Sequence, residues 1–419
     1  MNAAMIWQKN IFLQITRAVR LPLMAHVQAA LAQHWSLDPS ITFLNHGSFG
    51  ACPKSVLAAQ RDLIARMEAE PVVFLARELE ARLDAARGEL AAFLGAEADD
   101  VVFVPNATAG VNTVLRSLRY APGDELLVTD HAYNACKNAL HFAAERDGAK
   151  ATVARVPFPV KSPGEISAVV LSAVTSRTKI VLLDHVTNPT ALIFPVEDIV
   201  RELLKRGIDT LVDGAHAPGM IPLNVAQIGA AYYTGNCHKW ICAPKGAGFL
   251  HVRRDKQREI RPLSISHGAN STRTDRSRFQ IEFNWTGTDD FTPYLCIADA
   301  LKAMNALVPG GWAEIRRRNH ALAVEAREIL CGALNVAAPC PPEMIGSMAT
   351  VPLPDASAYA LTAAFTDPLQ DELLFKHKVE VPLVNWGSFS RMVRVSAQLY
   401  NQRSDYEKLA AALDAALKK

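Results

Sequence analysis

Short runs rich in valine and leucine at 101–104, 126–128, 152–156, 180–183 and 210–212 alternate with stretches of helical spacing at 109–118, 134–146, 165–174 and 196–205. No other feature constrains the fold as tightly. A strand that reads as a continuous apolar run needs cover on both faces, and the intervening helices supply it. The rhythm predicts an α/β fold with a mainly parallel sheet, in which ligands bind beyond the carboxyl ends of the strands. Helical spacing at 55–69 and 75–94, interrupted at Pro71, comes before it. After Arg254 the rhythm gives way to an Arg-rich loop at 271–278, then helices at 292–307 and 312–330, then strands and helices of a smaller C-terminal α+β domain. We expect an N-terminal arm over residues 1–40, a large domain over 41–290 and a small domain over 291–419.

The chemistry concentrates at two strand ends. One strand ends in Asp213-Gly214-Ala215-His216, and the stretch Tyr232-Tyr233-Thr234-Gly235-Asn236-Cys237 leads to His238-Lys239-Trp240. A loop too rich in Gly and Pro for helix or strand follows at 243–248. A Schiff-base cofactor needs this layout, an amine to hold its aldehyde and a carboxylate across the ring. Lys239 sits among aromatic and apolar neighbours, where desolvation favours the free amine. Upstream, Pro105-Asn106-Ala107-Thr108-Ala109-Gly110 joins a strand to a helix and offers free N–H groups to a phosphate, although ordinary N-capping explains the same residues.

Composition excludes several classes. A net charge of +2 gives no electrostatic case for nucleic acid or an anionic membrane, and no apolar run is long enough to span a bilayer. The seven cysteines are scattered; Cys237 and Cys242 have no second pair at metal spacing, so no metal site is expected, and free thiols in a reducing cytoplasm are the simplest account. Residues 1–34 carry Lys9, Arg17 and Arg20 and no acid. They read as a targeting segment, as an arm packing on a partner subunit, or as an upstream start with Met24 the natural one. We favour the latter two.

Taken in order, the phosphate loop, Asp213-Gly214-Ala215-His216, His238-Lys239-Trp240 and Pro244-Lys245-Gly246-Ala247-Gly248 resemble the class V aminotransferases, which are fold-type I pyridoxal-phosphate (PLP) enzymes. The isopenicillin N epimerase-like branch is the nearer likeness. It rests on Leu44-Asn45-His46-Gly47-Ser48-Phe49-Gly50, Pro71-Val72-Val73-Phe74, His185-Val186-Thr187-Asn188-Pro189-Thr190, Trp285-Thr286-Gly287-Thr288-Asp289 and Val393-Arg394-Val395-Ser396. The resemblance spans about residues 41–401.

It implies that Lys239 carries PLP as a Schiff base, that Asp213 pairs with the pyridine nitrogen, and that His216 supports the ring or its 3′-oxygen. Thr108, Ala109, Asn236 and His238 would hold the phosphate, with Thr288 completing it across a homodimer interface. The ring-stacking residue is open between His131 and Tyr133. Arg394 would fork onto the substrate α-carboxylate, with Arg391 as its rival. Residues three apart on a strand face opposite ways, so at most one of the two faces the site. Asn45 and Asn188 would touch substrate or cofactor, although Asn188 also suits a turn before Pro189.

The expected activity is deprotonation of an amino acid at its α-carbon with Lys239 as base. The second acid or base is open among Tyr133, His46 and His267. An epimerase or racemase is the leading expectation, with a carbon–sulfur lyase or an aminotransferase behind it and a non-catalytic relative of the fold as the contrasting class. Cysteine desulfurases of this class carry a nucleophilic cysteine shortly before the C-terminal arginine. Residues 379–386 fill that region here without one, which disfavours persulfide chemistry.

Overall fold

The computed structural model describes residues 30–354, 367–387 and 389–418. Residues 1–29, which carry most of the expected arm, lie outside the described residues.

Strand β1 (Thr42–Phe43) precedes helices α1 (Lys54–Ala69) and α2 (Leu79–Leu94). Helix α1 ends at Ala69 and Glu70 leaves the helical conformation, so the helical run is interrupted just before Pro71, as expected. Pro71 occupies the first turn of a short helix, where a missing N–H costs nothing, and a π-turn at Phe74–Glu78 joins that helix to α2. The alternating part follows as β2 (Val101–Val104), α3 (Ala107–Ser117), β3 (Glu125–Thr129), α4 (Asn134–Asp147), β4 (Lys150–Ala154), α5 (Pro163–Ser172), β5 (Thr178–Asp184), α6 (Val196–Lys205), β6 (Asp209–Gly214), β7 (Tyr232–Asn236) and β8 (Gly248–Val252).

These strands form one seven-stranded sheet in the order β2-β8-β7-β6-β5-β3-β4. The five strands β3 to β7 run parallel. Only β8, antiparallel to both β7 and β2, breaks the pattern. No sequence expectation covered β8, because the Gly/Pro-rich loop before it hides where the strand starts. Strands β5, β6 and β7 are buried along nearly their whole length, which is why they read as apolar runs. Their carboxyl ends bring Asp184, Asp213 and Asn236 to one edge of the sheet.

Gly214 ends β6 where no side chain fits. A Cβ there would lie 2.3 Å from the Tyr233 hydroxyl oxygen and 2.4 Å from its ring. Gly214→Ala is expected to destabilise the protein by about 1–3 kcal/mol through overpacking. An unchanged midpoint in chemical denaturation would contradict this.

The C-terminal part holds the long helix α7 (Gly311–Leu334), β9 (Met348–Pro352), β10 (Val379–Glu380), β11 (Leu383–Trp386), β12 (Phe389–Ser396) and the closing helix α8 (Arg403–Leu417). Strands β11, β12 and β9 form an antiparallel sheet in that order. Strand β1 pairs in parallel with β10, so the first strand of the expected large domain joins the C-terminal layer. This pairing carries the Asn45–Ser48 segment to the end of β12.

Candidate active site

Lys239 lies three residues beyond β7, and its backbone is clamped from behind. Its carbonyl oxygen is 3.0 Å from His46 Nε2, and a carbonyl can only accept, so Nε2 carries the hydrogen. His46 Nδ1 is then the acceptor for the Tyr400 hydroxyl at 2.7 Å. Burial pushes His46 down to about 3, which keeps the ring neutral. With both nitrogens engaged, His46 is a structural clamp and is no longer a candidate acid or base. His267 is exposed, with Ser266 Oγ 3.3 Å from its Nδ1, and no hydrogen bond ties it to the Lys239 cluster among the described residues.

The Lys239 amine is buried. Burial first, and then the nearby Arg394 charge, lowers its pKa to about 7, so much of it is free amine at neutral pH. Its Nζ lies 3.1 Å from His216 Nε2. Burial holds His216 neutral, and its Nδ1 has no partner among the described residues.

Asp213 accepts from Cys136 Sγ at 3.1 Å through Oδ2 and from the Ala215 N–H at 2.9 Å through Oδ1. Directly beside it, in register on β5, stands Asp184. Sequence reasoning passed over Asp184 and Cys136. For Asp184 a signal existed: Leu182-Leu183-Asp184 ends its strand as Leu211-Val212-Asp213 ends the next.

At the N-terminus of α3, Asn106 Oδ1 accepts from Ala109 N–H at 2.9 Å, and Asn236 Oδ1 accepts from Ala107 N–H at 2.8 Å. The Ala109 N–H, expected to face a phosphate, is therefore satisfied inside the protein, and Asn236 has spent its amide oxygen joining β7 to α3. The Thr108 N–H has no acceptor among the described residues. His238 Nδ1 is 3.0 Å from the Ala247 carbonyl and so carries its hydrogen; burial lowers the ring to about 4, which leaves Nε2 an acceptor. It becomes a donor only on protonation, which an adjacent anion favours. Thr288 is exposed on the loop after Trp285 and makes no hydrogen bond to the cluster among the described residues. Its neighbours Thr286 and Asp289 line a cavity of about 220 Å³ with Ala109 and Thr113; Lys239 is not part of that lining.

The arginine rivalry is resolved by partners. Arg391 is paired with Asp367 at 2.8 and 2.9 Å. Arg394 is buried, and its Nη1 donates to Asn188 through the carbonyl at 2.7 Å and the side chain at 2.6 Å. Its Nη2 donates to Ser48 Oγ at 3.0 Å, and its Nε has no partner among the described residues. Burial lowers Arg394 to about 10, so it stays charged at neutral pH. Asn188 thus holds the arginine in place. Asn45 braces the same group, donating to Glu380 Oε1 at 2.8 Å and accepting from the Ser48 hydroxyl. Ser48 was quoted only as part of a motif, and its contact with Arg394 was not anticipated.

Of the two candidate stacking rings, His131 is enclosed. Its Nε2 donates to the Val156 carbonyl at 3.0 Å, its Nδ1 meets Thr190 Oγ1 at 2.7 Å, and Trp386 packs 4.1 Å away between centroids. Tyr133 precedes α4 and is 43% exposed, close enough to Arg394 for its phenol to favour the guanidinium charge. Of the two rings between which stacking was left open, His131 is thus buried and hydrogen-bonded at both nitrogens, and Tyr133 is the more exposed.

The family described as "Aminotransferase class-V" matches residues 43–409. The chain belongs to the class V aminotransferases. Isopenicillin N epimerase of Amycolatopsis lactamdurans is 33% identical to this class V chain over 93% of it and 99% of the relative. A probable chloroplastic L-cysteine desulfhydrase of Arabidopsis thaliana is 30% identical over 93% of this chain and 85% of the relative. A cysteine desulfurase structure from Escherichia coli superposes with a TM-score of 0.75 at 20% identity, covering 93% of this chain and 98% of that one, which shows the shared fold-type I architecture.

Class V aminotransferases are PLP-dependent enzymes, and the residues here fit that cofactor. A buried lysine that is about half neutral at pH 7, a buried carboxylate and an unpartnered helix N–H are what an aldehyde, a pyridine nitrogen and a phosphate require. Among the buried side-chain atoms without partners in the described residues, His216 Nδ1, Asp184 Oδ2 and Arg394 Nε belong to this group of residues, while others such as Arg87 Nε and Tyr232 Oη lie elsewhere. No helix among the described residues is long and apolar enough to cross a membrane.

Proposed function

We propose that this class V enzyme removes the α-proton of an amino acid and returns it on the opposite face, as an epimerase or racemase. The observation that carries the reading is the buried Lys239 amine, held near neutrality in one cluster with Asp213 and Arg394. When bound, PLP supplies an electron sink that makes the α-proton of a joined amino acid acidic. Lys239 Nζ holds the cofactor and, once displaced by the substrate amine, takes the proton on its own face. Asp213 would hold the ring nitrogen in its protonated form, and His216 would support the ring or its 3′-oxygen. The Thr108 N–H and a protonated His238 hold the phosphate, with Ala109 and Asn236 shaping the helix end.

Arg394 binds the α-carboxylate, and Ser48, Asn188 and Asn45 fix its direction. Tyr133 would lie against the cofactor ring, and its phenol would serve as the second proton carrier. The exposed Thr288 suits a homodimer in which Thr288 of the partner subunit completes the phosphate site. The seven free thiols suit a reducing, cytoplasmic setting.

β-Elimination from cysteine or a cysteine derivative is the second reading, favoured by the relatives named L-cysteine desulfhydrase. A desulfurase is disfavoured, because Trp386 and its strand occupy the stretch before Arg394 and the stretch contains no cysteine. Proton NMR in deuterated water against a panel of L-amino acids separates the readings. Deuterium at the α-carbon with loss of optical purity supports the epimerase; a keto acid with released thiol replaces it by the lyase.

Because the amine titrates at about 7, covalent uptake of PLP by the apoprotein should speed up with rising pH and level off above that value. Stopped-flow absorbance reads this directly. A rate still climbing at the ordinary lysine pKa would mean that Lys239 is not held as described.

A further inference from the structure

Asp184 is the residue of this site that no motif assigns. Its strand runs parallel to β6 with Asp184 opposite Asp213. Register partners on neighbouring parallel strands point to the same face, about 5 Å apart. The two carboxyls are 3% and 2% exposed, and neither makes an ion pair among the described residues. Their surroundings differ. Asp213 receives two donors, the Cys136 thiol and the Ala215 N–H. Asp184 receives one long bond, from the Tyr133 N–H at 3.4 Å to Oδ1, and its Oδ2 has no partner among the described residues.

Two adjacent buried carboxylates cannot both stay ionised without a close cation. The groups facing them are few. Helix α4 brings Cys136 and the more distant Lys137, and the loop after β7 brings Lys239, which is itself half neutral near pH 7. Just past the end of β5, His185 is held neutral by burial, and its Nδ1 is 2.9 Å from the Tyr233 hydroxyl.

We propose that Asp184 is a second carboxyl of the cofactor site that holds a proton beside Asp213, leaving Asp213 as the single charged carboxylate toward the ring nitrogen. Asp184 is thus a positioning residue: it tunes Asp213 and touches no reacting atom. The inference rests on the proposed placement of Asp213 toward that nitrogen. The donors decide which carboxyl keeps the proton. Burial raises both carboxyls, but two donors and the Lys239 charge favour the ionised Asp213, whereas at Asp184 the Asp213 charge adds to burial and pushes the group well above the ordinary carboxylate range. Release of the Asp184 proton to solvent at alkaline pH adds a second negative charge, which strengthens proton retention at both Lys239 and the ring nitrogen.

The test is infrared spectroscopy of the full-length protein, with and without PLP, titrated through neutral pH. A protonated-carboxyl carbonyl band is expected at neutral pH in the wild type and is expected to be missing in Asp184→Asn. In Asp213→Asn the same band should ionise at a pH lower by about one unit or more, because the neighbouring charge is gone. A wild type without the band, or a band that survives in Asp184→Asn, overturns the proposal. Should Asp184→Asn fail to fold, an unshifted band in Asp213→Asn overturns it equally. Full turnover by Asp213→Asn would instead sink the functional reading while the shared proton stood.

Discussion

Lys239→Ala is expected to lower turnover by at least about ten-thousand-fold, because one substitution removes both the covalent anchor and the base. The folded protein should survive it. Lys239 costs stability where it stands, since a buried amine without a bonded anion is poorly solvated, and its nearest polar contact is a neutral His216 nitrogen at 3.1 Å. The loop geometry depends on the Lys239 carbonyl rather than on its side chain, and the His46 clamp is untouched by the change. Denaturation should therefore be as cooperative as in the wild type, while the visible absorption of the lysine-bound cofactor vanishes. Persistence of that absorption would transfer the anchor to another lysine, with Lys245 the nearest in sequence.

The second large effect is expected at Arg394. Arg394→Ala removes a buried guanidinium aimed by Asn188 and Ser48, and kcat/KM for an amino acid should fall on the order of a hundredfold or more, the usual cost of leaving a buried charge without its partner. PLP binding should change little, because no proposed cofactor contact is lost. Arg391→Ala provides the contrast. It strips Asp367 of its paired arginine and should lower stability while leaving KM in place. Reversal of the two outcomes would exchange the roles of these arginines.

The legible and illegible parts divide along physical lines. The parallel strands could be read because burial on both faces writes itself as unbroken valine and leucine, and Asp213 and Lys239 because a strand-end acid followed in order by a lysine among aromatic neighbours and a Gly/Pro loop forms a set that turn-capping alone does not explain. The direction of β8 could not be read, since five residues carry no mark of which neighbour they will meet. Asn45 and His46 stand out in the sequence, but their hydrogen-bond partners do not. Their partners, Glu380 and Tyr400, lie 335 and 354 residues away, and a motif does not say which distant groups will claim its hydrogen bonds. The alternation of a strand showed that Arg391 and Arg394 oppose each other; only the position of Asp367 shows which of them is free. Asp184 escaped because a lone strand-end acid is ordinary until a second one is found beside it.

The clamp behind Lys239 has a consequence for biosynthesis. His46 is made early, Lys239 in the middle, and Tyr400 close to the end, yet all three meet at one carbonyl. A ribosome that has just finished the sheet has produced the lysine but not the hydroxyl that fixes the tautomer holding its backbone. Reactive amines are hazards in a nascent chain, open to any passing aldehyde. By making the turn after β12 part of the lysine's support, the topology leaves that carbonyl without its full clamp until the C-terminal layer has folded onto the sheet.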